Sequence, residues 1–413
     1  MPKASASQQN KQKLWSGFFV AFLALLFLCF VVGQGLNSGT TVYLSRVGFG
    51  TPVAGALALT FSGSGAVSRL LVEHPIDAGK ASLVAILGCT VLLIGTFLPA
   101  ICHGLPFLVC ARCLQGLGFA SATTAASTAV ADIVPSTRLG EGIGYGGLGQ
   151  ALAMSIGPAF ALYLAGTDPA LNLYLGLALV AAAALAVAFA CRYEHKVEKL
   201  PESCSFRMRA EGRIAQKAER EHGFAAVFEK RALPGTIPML VNSSAFGFGI
   251  FYVGLYGTQI GMAQAGLFFT LSAVSMVGIR LLSRTFMDTV VPIKIYTGAI
   301  ACGFLCFGLL YFAPVAHWAY YVAGIFYGLC LGVSLPINQT VAVKNTPSTR
   351  WGATNALFLL ANDIGIGCSS LIWGYLNNAF GFQFSILCVL GCLALAYLLA
   401  WICYPAEAKR WKS

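Results

Sequence analysis

Two ionisable residues, Arg112 and Asp363, stand inside long apolar runs of the chain. Arg112 begins the string Arg112-Cys-Leu-Gln115-Gly116, and Asp363 directly follows Asn362. A charged side chain in such a run has to face water or a partner, because burying it alone is costly. A guanidinium and a carboxylate can form an ion pair, and the carboxylate can also take up a proton. Binding and proton transfer are therefore the chemistry that these residues indicate.

Other reactive arrangements are difficult to assemble from this sequence. The one Cys-x-x-Cys string, Cys110 to Cys113, has no second pair and no histidine cluster beside it, so we expect neither a metal nor a cofactor. The stretch 74–81 lacks the first glycine and the hydroxyl residue of a phosphate-binding loop, which argues against ATP hydrolysis. We expect no enzyme activity, and a membrane-embedded enzyme is a remote alternative.

The composition predicts that membrane-spanning helices position these residues. Hydrophobic residues make up 57% of the chain and charged residues 10%, and the mean hydropathy is +0.76. A soluble domain carries about 25% charged residues. Apolar runs long enough to cross a bilayer must be helices, because lipid offers no partners to backbone polar groups. The twelve predicted spans are 14–36, 50–72, 81–103, 105–131, 139–165, 169–192, 236–257, 260–283, 291–313, 315–343, 351–376 and 380–404.

The basic residues predict how these spans are oriented. With twelve spans both termini lie on one side of the membrane, and nearly all of the 26 Lys and Arg residues fall on that side. The positive-inside rule makes that side cytoplasmic. We expect a multi-pass protein of a bacterial inner membrane with cytoplasmic termini. The net charge of +11 follows from this topology, with some attraction to membrane lipid, and no basic patch interleaved with aromatic residues indicates a nucleic-acid partner.

One turn sequence occurs twice in the chain, which predicts an internal duplication. Pro135-Ser-Thr-Arg138-Leu-Gly recurs 212 positions later as Pro347-Ser-Thr-Arg350-Trp-Gly. Further pairs of strings keep an offset of 211 or 212; they begin near Gly116 and Gly328, Arg69 and Arg280, and Ala54 and Ala265. Matches at a constant offset indicate two related six-helix bundles. The predicted divisions are an N-terminal bundle at 1–192, a charged cytoplasmic linker at 193–234 and a C-terminal bundle at 235–413.

Two parallel six-helix repeats are the plan of one large class of transporters. In this plan and in its motifs the chain resembles the major facilitator superfamily, and within it the bacterial twelve-helix drug and metabolite exporters. The string at Arg112 resembles the family's Arg-x-x-Gln-Gly motif, which implies a part in proton coupling or binding; a structural arginine is the alternative. Part of the family's exporter motif is matched by Gly149, Gln150, Gly157 and Pro158. The resemblance implies that this motif forms a rocking interface between the halves. Close packing without that role is the alternative.

The loop after the second span resembles the family's cytoplasmic latch. Asp77, Gly79 and Lys80 match the motif, whereas Glu73 and Ala78 replace a glycine and an arginine. The resemblance implies a group of latch charges at the cytoplasmic face, namely Asp77, Lys80, Arg138, Asp288 and Arg350. Loop charges that only fix the topology are the alternative.

The resemblance also implies a central cavity between spans one, four, seven and ten. Its walls would include Gln34, Asn37, Gln115, Asn242, Tyr252, Tyr256, Tyr327, Asn338 and Gln339. Such walls suit a mid-sized, partly apolar ligand. These four spans carry no carboxylate except Asp132 at an inner end, so a neutral or anionic solute is favoured over a cation.

Asp363 lies about 20 Å from the cytoplasmic end of the eleventh span, a depth similar to that of Arg112. Opposite charges at one depth indicate an ion pair or a proton switch, and a structural pair or cap is the alternative. We therefore expect an all-helical secondary active transporter that exports a small organic solute by alternating access in exchange for protons. Its partners would be the solute, protons and membrane lipid, and the protein would be a monomer. An importer or facilitator of the same fold is the alternative.

Overall fold

The structure is a computed structural model that describes residues 14–102, 104–135, 138–167, 171–212, 228–283, 290–346 and 351–404. Its long helices run alternately between an inner end, where the first helix begins and the last one ends, and an opposite outer end. The helices of the first half are α1 Gly17–Arg46, α2 Thr51–Asp77, α3 Ala81–Ile101, α4 Leu105–Ile133, α5 Leu139–Ala165 and α6 Asn172–Ala190.

The second half repeats this arrangement with two irregularities. Its helices are α7 Leu233–Phe251 with a continuation Val253–Gln259, α8 Leu267–Ser283, α9 Pro292–Phe312, α10 His317–Lys344, α11 at 351–380 and α12 at 382–403. The last two form one helical run, Trp351–Cys403, interrupted only at Gly381. The backbone of Gly381 has φ 82° and ψ 168°, a conformation that only glycine adopts without strain, and it separates α11 from α12.

The helices confirm a polytopic all-helical membrane protein. Within the described ranges, nine helices are long and apolar enough to cross a membrane. The bent pair of α7, the shorter apolar helix Leu267–Leu282 and the division at Gly381 add one each, a total consistent with the twelve predicted spans. The one β-type pairing in the described part of the chain is an isolated bridge between Pro135 and Cys204.

Two helices differ from the predicted spans. The first span was expected to end at residue 36, but α1 continues to Arg46, because the polar residues that follow Gln34 are buried among neighbouring helices. The seventh span was expected to be one helix, but it bends by 42° next to Tyr252. The Tyr252 hydroxyl donates to the Ser370 carbonyl of α11 at 2.6 Å, which holds this bend against the neighbouring helix.

The same helix contacts occur in both halves. In the first half α1 packs on α5, α2 on α4 and α3 on α4; in the second half α7 packs on α11, α8 on α10 and α9 on α10. Between the halves the main contacts are α2 with α11 and α5 with α8, which are equivalent crossings. The Ser38 hydroxyl donates to the Ile250 carbonyl at 2.6 Å, and these residues are 212 positions apart. The pseudo-twofold relation therefore holds where α1 meets α7.

The outer end is closed by glycines at the two crossings between the halves. A side chain on Gly55 of α2 would meet the backbone of α11, with the Leu371 Cα at 2.9 Å. At the equivalent crossing, Gly266 lies against Ala159 of α5, whose Cα would be 3.3 Å from an added Cβ. Hydroxyl bonds reinforce the first crossing, since Thr51 donates to the Gly374 carbonyl at 2.7 Å. The repeated Ala-Gly strings thus mark the places where the halves touch.

The first prediction concerns this glycine contact. Gly55→Ala should lower the free energy of unfolding by about 1–3 kcal/mol, because the new methyl group overlaps backbone atoms that cannot rotate away. The measurement is the melting temperature of the purified protein in detergent. Gly63→Ala is the matched control on the same helix, since a Cβ there meets nothing within 4 Å. Equal melting temperatures for the two variants would contradict the close contact.

Candidate functional site

A cavity of about 560 Å³ lies between the two halves. Its walls come from α1, α2, α4 and α5 on one side and from α7, α8, α10 and α11 on the other. Most of the lining residues lie near the middle of their helix or toward its inner end, whereas the outer end is closed by the Ser38–Ile250 and Gly55 contacts. The cavity is therefore a central site that extends toward the inner end of the bundle.

An ion pair between Arg69 and Asp363 joins the two halves in the cavity wall. The Arg69 Nε donates to the Asp363 Oδ2 at 3.1 Å, and both side chains are about one quarter exposed. Arg69 also donates from Nη1 to the Thr124 hydroxyl at 3.1 Å. The guanidinium of α2 thus connects α4 of its own half with α11 of the other half.

Arg112 is held elsewhere, by neutral acceptors inside the first half. Its Nε donates to the Leu57 carbonyl at 3.2 Å, its Nη1 to the Gln115 Oε1 at 3.1 Å and its Nη2 to the Asn37 Oδ1 at 3.0 Å. The guanidinium lies over the Phe61 ring, 4.6 Å from its centroid. The hypothesis of an Arg112–Asp363 pair is therefore corrected: the residues lie on helices of different halves, and their partners on α2, Leu57 and Arg69, are about 18 Å apart along that helix.

Gln115 belongs to this polar cluster rather than to the cavity wall. It is fully buried, and its Nε2 donates to the Gly95 carbonyl of α3 at 3.0 Å while its Oε1 accepts from Arg112. We call Arg112, Asn37, Gln115 and the Leu57 carbonyl the Arg112 cluster. Asn37 is its one side chain that also lines the cavity, together with Gln34 one turn earlier on α1.

Only some of the predicted wall residues line the cavity. Gln34, Asn37 and Gln339 line the cavity. Five other predicted residues lie outside the wall and are packed in the second half, namely Asn242, Tyr252, Tyr256, Tyr327 and Asn338. The physical reason is that the three tyrosine hydroxyls and the Asn338 oxygen bond to other parts of the second half.

Three of these residues show the pattern. The Tyr256 hydroxyl donates to the Leu310 carbonyl at 3.0 Å, and the Tyr327 hydroxyl donates to the Phe246 carbonyl at 3.2 Å. The Asn338 amide bonds to the Ser334 carbonyl at 2.7 Å and accepts from the Tyr404 hydroxyl at 2.8 Å. The correction follows because these groups tie helices of the second half to one another.

The predicted rocking interface also needs a correction. Gly157 packs on α1 of its own half, where a Cβ would meet the Val31 carbonyl and the Gly35 nitrogen. Gly149 has open space beside it, Pro158 lies inside α5, and Gln150 lines the cavity. The contact of α5 with the other half is made by a different face, which carries Ala159 and Leu162.

The predicted latch falls mostly outside the structural description. Asp288 and Arg350 lie outside the described residues, and of Asp77 only its place at the end of α2 is described. Lys80 is exposed at the start of α3, and Arg138 precedes α5 with its backbone nitrogen bonded to the Pro135 carbonyl at 2.8 Å. The latch therefore stays a prediction.

Sequence reasoning missed Arg69 and Arg280 as cavity residues. Both line the cavity, and Arg280 donates from Nη1 to the Gly147 carbonyl of α5 at 2.8 Å. The two arginines thus stand at the equivalent crossings, α2 with α11 and α8 with α5. Their repeated Arg-Leu-Leu strings inside apolar spans were the signal that could have identified them.

Comparison with known proteins agrees with this architecture. The sequence profile of the Major Facilitator Superfamily matches residues 14–366. The chain belongs to the Major Facilitator Superfamily. It is therefore a multi-pass membrane protein of this family, as its long apolar helices also indicate.

Two relatives and two solved structures illustrate the family. An uncharacterized MFS-type transporter of Burkholderia mallei is 26% identical over 181 residues, a match that spans 43% of this chain and only 44% of that relative. The staphylopine export protein of Staphylococcus aureus is 24% identical over 305 residues, 72% of this chain and 73% of that relative.

The solved structures share the fold at low identity. A nucleoside transporter aligns with a TM-score of 0.74 and 14% identity, covering 94% of this chain and all of the other. A D-xylose–proton symporter aligns with a TM-score of 0.71 and 15% identity, covering 94% of this chain and 98% of the other.

The second prediction tests whether the Arg112 cluster is fully bonded. Gln115→Leu should lower the free energy of unfolding by about 1–3 kcal/mol, because it removes an acceptor from Arg112 and a donor from the Gly95 carbonyl. Thermal unfolding in detergent measures this loss. Gln150→Leu, the same exchange at a partly exposed position of the cavity wall, should cost less. A larger loss for Gln150→Leu would show that the cluster does not carry the stability assigned to it.

Proposed function

We propose that the protein exports a small, neutral or anionic, partly apolar organic solute by alternating access, in exchange for protons. The observation that carries this proposal is the Arg69–Asp363 ion pair, which links the halves in the wall of the central cavity. A carboxylate that binds both a proton and the opposite half couples proton uptake to the movement of the halves.

The proposed coupling uses the charge of Asp363. While Asp363 is ionised, the pair with Arg69 holds α11 against α2 and favours the arrangement with the inner cavity. Protonation removes the negative charge, so the attraction falls and the halves can rearrange toward an outer opening. Arg69, rather than Arg112, is the partner from which Asp363 is released.

The cavity walls support the proposed solute class. A volume of about 560 Å³ suits a small organic molecule. Among the described wall residues, the ionisable groups are two guanidiniums, Arg69 and Arg280, and one carboxylate, Asp363. This balance disfavours a cation and suits a neutral or anionic solute with apolar parts.

The direction of transport is supported by the relative named as a staphylopine exporter, which aligns over most of both chains. The competing function is solute import or facilitated diffusion by the same fold, and one structural neighbour is a D-xylose–proton symporter.

The concentration of Lys and Arg near the inner end supports cytoplasmic termini in a bacterial inner membrane. We further propose that the monomer suffices and that it acts as a transporter rather than an enzyme.

The third prediction tests proton coupling. A thermal-shift screen first identifies a solute that binds, and its transport is then followed in proteoliposomes with and without an imposed pH gradient. Asp363→Asn should abolish the gradient-driven accumulation of the solute and retain its downhill exchange, because the side chain keeps its shape but no longer takes up a proton.

Asp132→Asn is the matched control. Asp132 lies at the inner end of α4, outside the cavity wall, where Ser205 bonds to it, so gradient-driven transport should persist. Gradient-driven transport by Asp363→Asn equal to that of the unmodified protein would reject the coupling role. If the solute instead moves into the vesicle in the same direction as the protons, the protein is a symporter and not an exporter that exchanges solute for protons.

A further inference from the structure

The Arg112 cluster gives the amide of Asn37 a fixed orientation at the cavity wall. A guanidinium has only donors, so the atom of Asn37 that lies 3.0 Å from the Arg112 Nη2 must be the amide oxygen. The Asn37 Nδ2 is then the atom of this amide that is left to act as a donor toward the cavity, which Asn37 lines. A hydrogen-bond acceptor on a solute would meet this donor.

The positive charge of Arg112 reaches the cavity through the same amide. In the part of the chain that the structure describes, the acceptors of Arg112 are two side-chain amides and one backbone carbonyl, all neutral. The carboxylate of the cavity wall, Asp363, bonds to Arg69 instead. A buried guanidinium that polarises a bonded amide strengthens the hydrogen bond from that amide to an anion.

The duplicated half shows that the fold does not require this charge. The positions 212 residues after Asn37, Arg112 and Gln115 are Gly249, Gly324 and Tyr327. There the Tyr327 ring occupies the space beside Gly249, and Gly324 lies directly on the Phe268 carbonyl. The second half thus closes the equivalent helix crossings with neutral atoms, so the buried cation of the first half calls for a reason beyond packing.

Aromatic side chains line the same side of the cavity. Phe30, Phe61 and Phe119 line the wall beside α1. The rings of Phe30 and Phe119 meet edge to face at 5.3 Å between centroids, and Phe61 lies 5.7 Å from Phe119. An aromatic or similarly apolar body packs well against such rings.

We propose that the solute is an aromatic organic acid whose acidic group accepts a hydrogen bond from the Asn37 Nδ2, and that Arg112 is the positioning residue that orients and polarises this amide. The inference rests on the proposed function, since it narrows the solute class for the same cavity. It assigns acid recognition to Asn37, and it leaves proton coupling with Asp363.

The fourth prediction compares three probes that share one aromatic body. Naphthoate, naphthylmethanol and naphthylmethylamine are titrated against the full chain in lipid nanodiscs, with empty nanodiscs as the blank. The unmodified protein should bind naphthoate most tightly and the amine least. Asn37→Asp should weaken naphthoate binding by about tenfold or more, because the new carboxylate pairs with Arg112 and repels the acid. Binding of naphthylmethanol should change much less.

Two further variants separate recognition from stability. Asn172→Asp makes the same exchange at the start of α6, away from the cavity, and should leave all three affinities unchanged. Arg112→Met should reduce the ratio of acid to alcohol affinity, because the Asn37 amide can then turn its oxygen to the cavity. A purely structural role of Arg112 would lower the melting temperature and leave that ratio unchanged, which would overturn its assignment as a positioning residue.

Three results would overturn the assignment of Asn37. These are tight naphthoate binding by Asn37→Asp, amine binding as tight as acid binding in the unmodified protein, or no naphthoate binding at all. The titrations use no pH gradient, so they can fail while gradient-driven transport through Asp363 holds. Conversely, acid recognition can hold in a protein whose transport proves not to be driven by protons.

Discussion

A guanidinium inside an apolar helix bundle must be met by acceptors from neighbouring helices, and this constraint organises the interior of the protein. Arg112 brings together α1, α2 and α4, and its partner Gln115 reaches α3. Arg69 connects α2 with α4 and, through Asp363, with the opposite half. Arg280 bonds to α5 across the equivalent crossing. Each arginine therefore sets which polar groups of the neighbouring helices are bonded and which are left for the cavity.

The contacts that hold each half together differ from the contacts that join the two halves. Within the second half, tyrosine hydroxyls donate to backbone carbonyls of adjacent helices. Between the halves, the outer contacts are glycine crossings and hydroxyl bonds from Ser38 and Thr51. Weak, short-range contacts at an interface between internally bonded units suit a rigid-body movement. In the described residues, the Arg69–Asp363 pair is the one ion pair that crosses this interface.

The sequence predicted the helical spans and missed features that depend on how the helices pack against one another. Composition and run length gave the spans, but the helical rise alone placed Arg112 and Asp363 at one depth, whereas their partners Leu57 and Arg69 are about 18 Å apart along α2. The direction of a side chain follows from packing. The sequence could therefore not show which residue binds Asp363, nor that Tyr327 bonds to Phe246 instead of lining the cavity. Gly157 shows the same limit, because its motif indicated a close contact but not which helix makes it. The sequence shows Arg69 and Arg280 as a repeated pair, but only the structure shows that both line the cavity wall.

The most direct test of rocking controlled by the charge of Asp363 is a pair of distance distributions from spin labels. Labels at Lys80 and Lys294 report the inner end, and labels at Leu105 and Val315 report the outer end, on a background with the exposed Cys110 and Cys368 changed to serine. When Asp363→Asn removes the charge, we expect the inner distance to shorten and the outer distance to lengthen in the same fraction of molecules. Distances that stay unchanged, or that move in the same direction at both ends, would contradict this account.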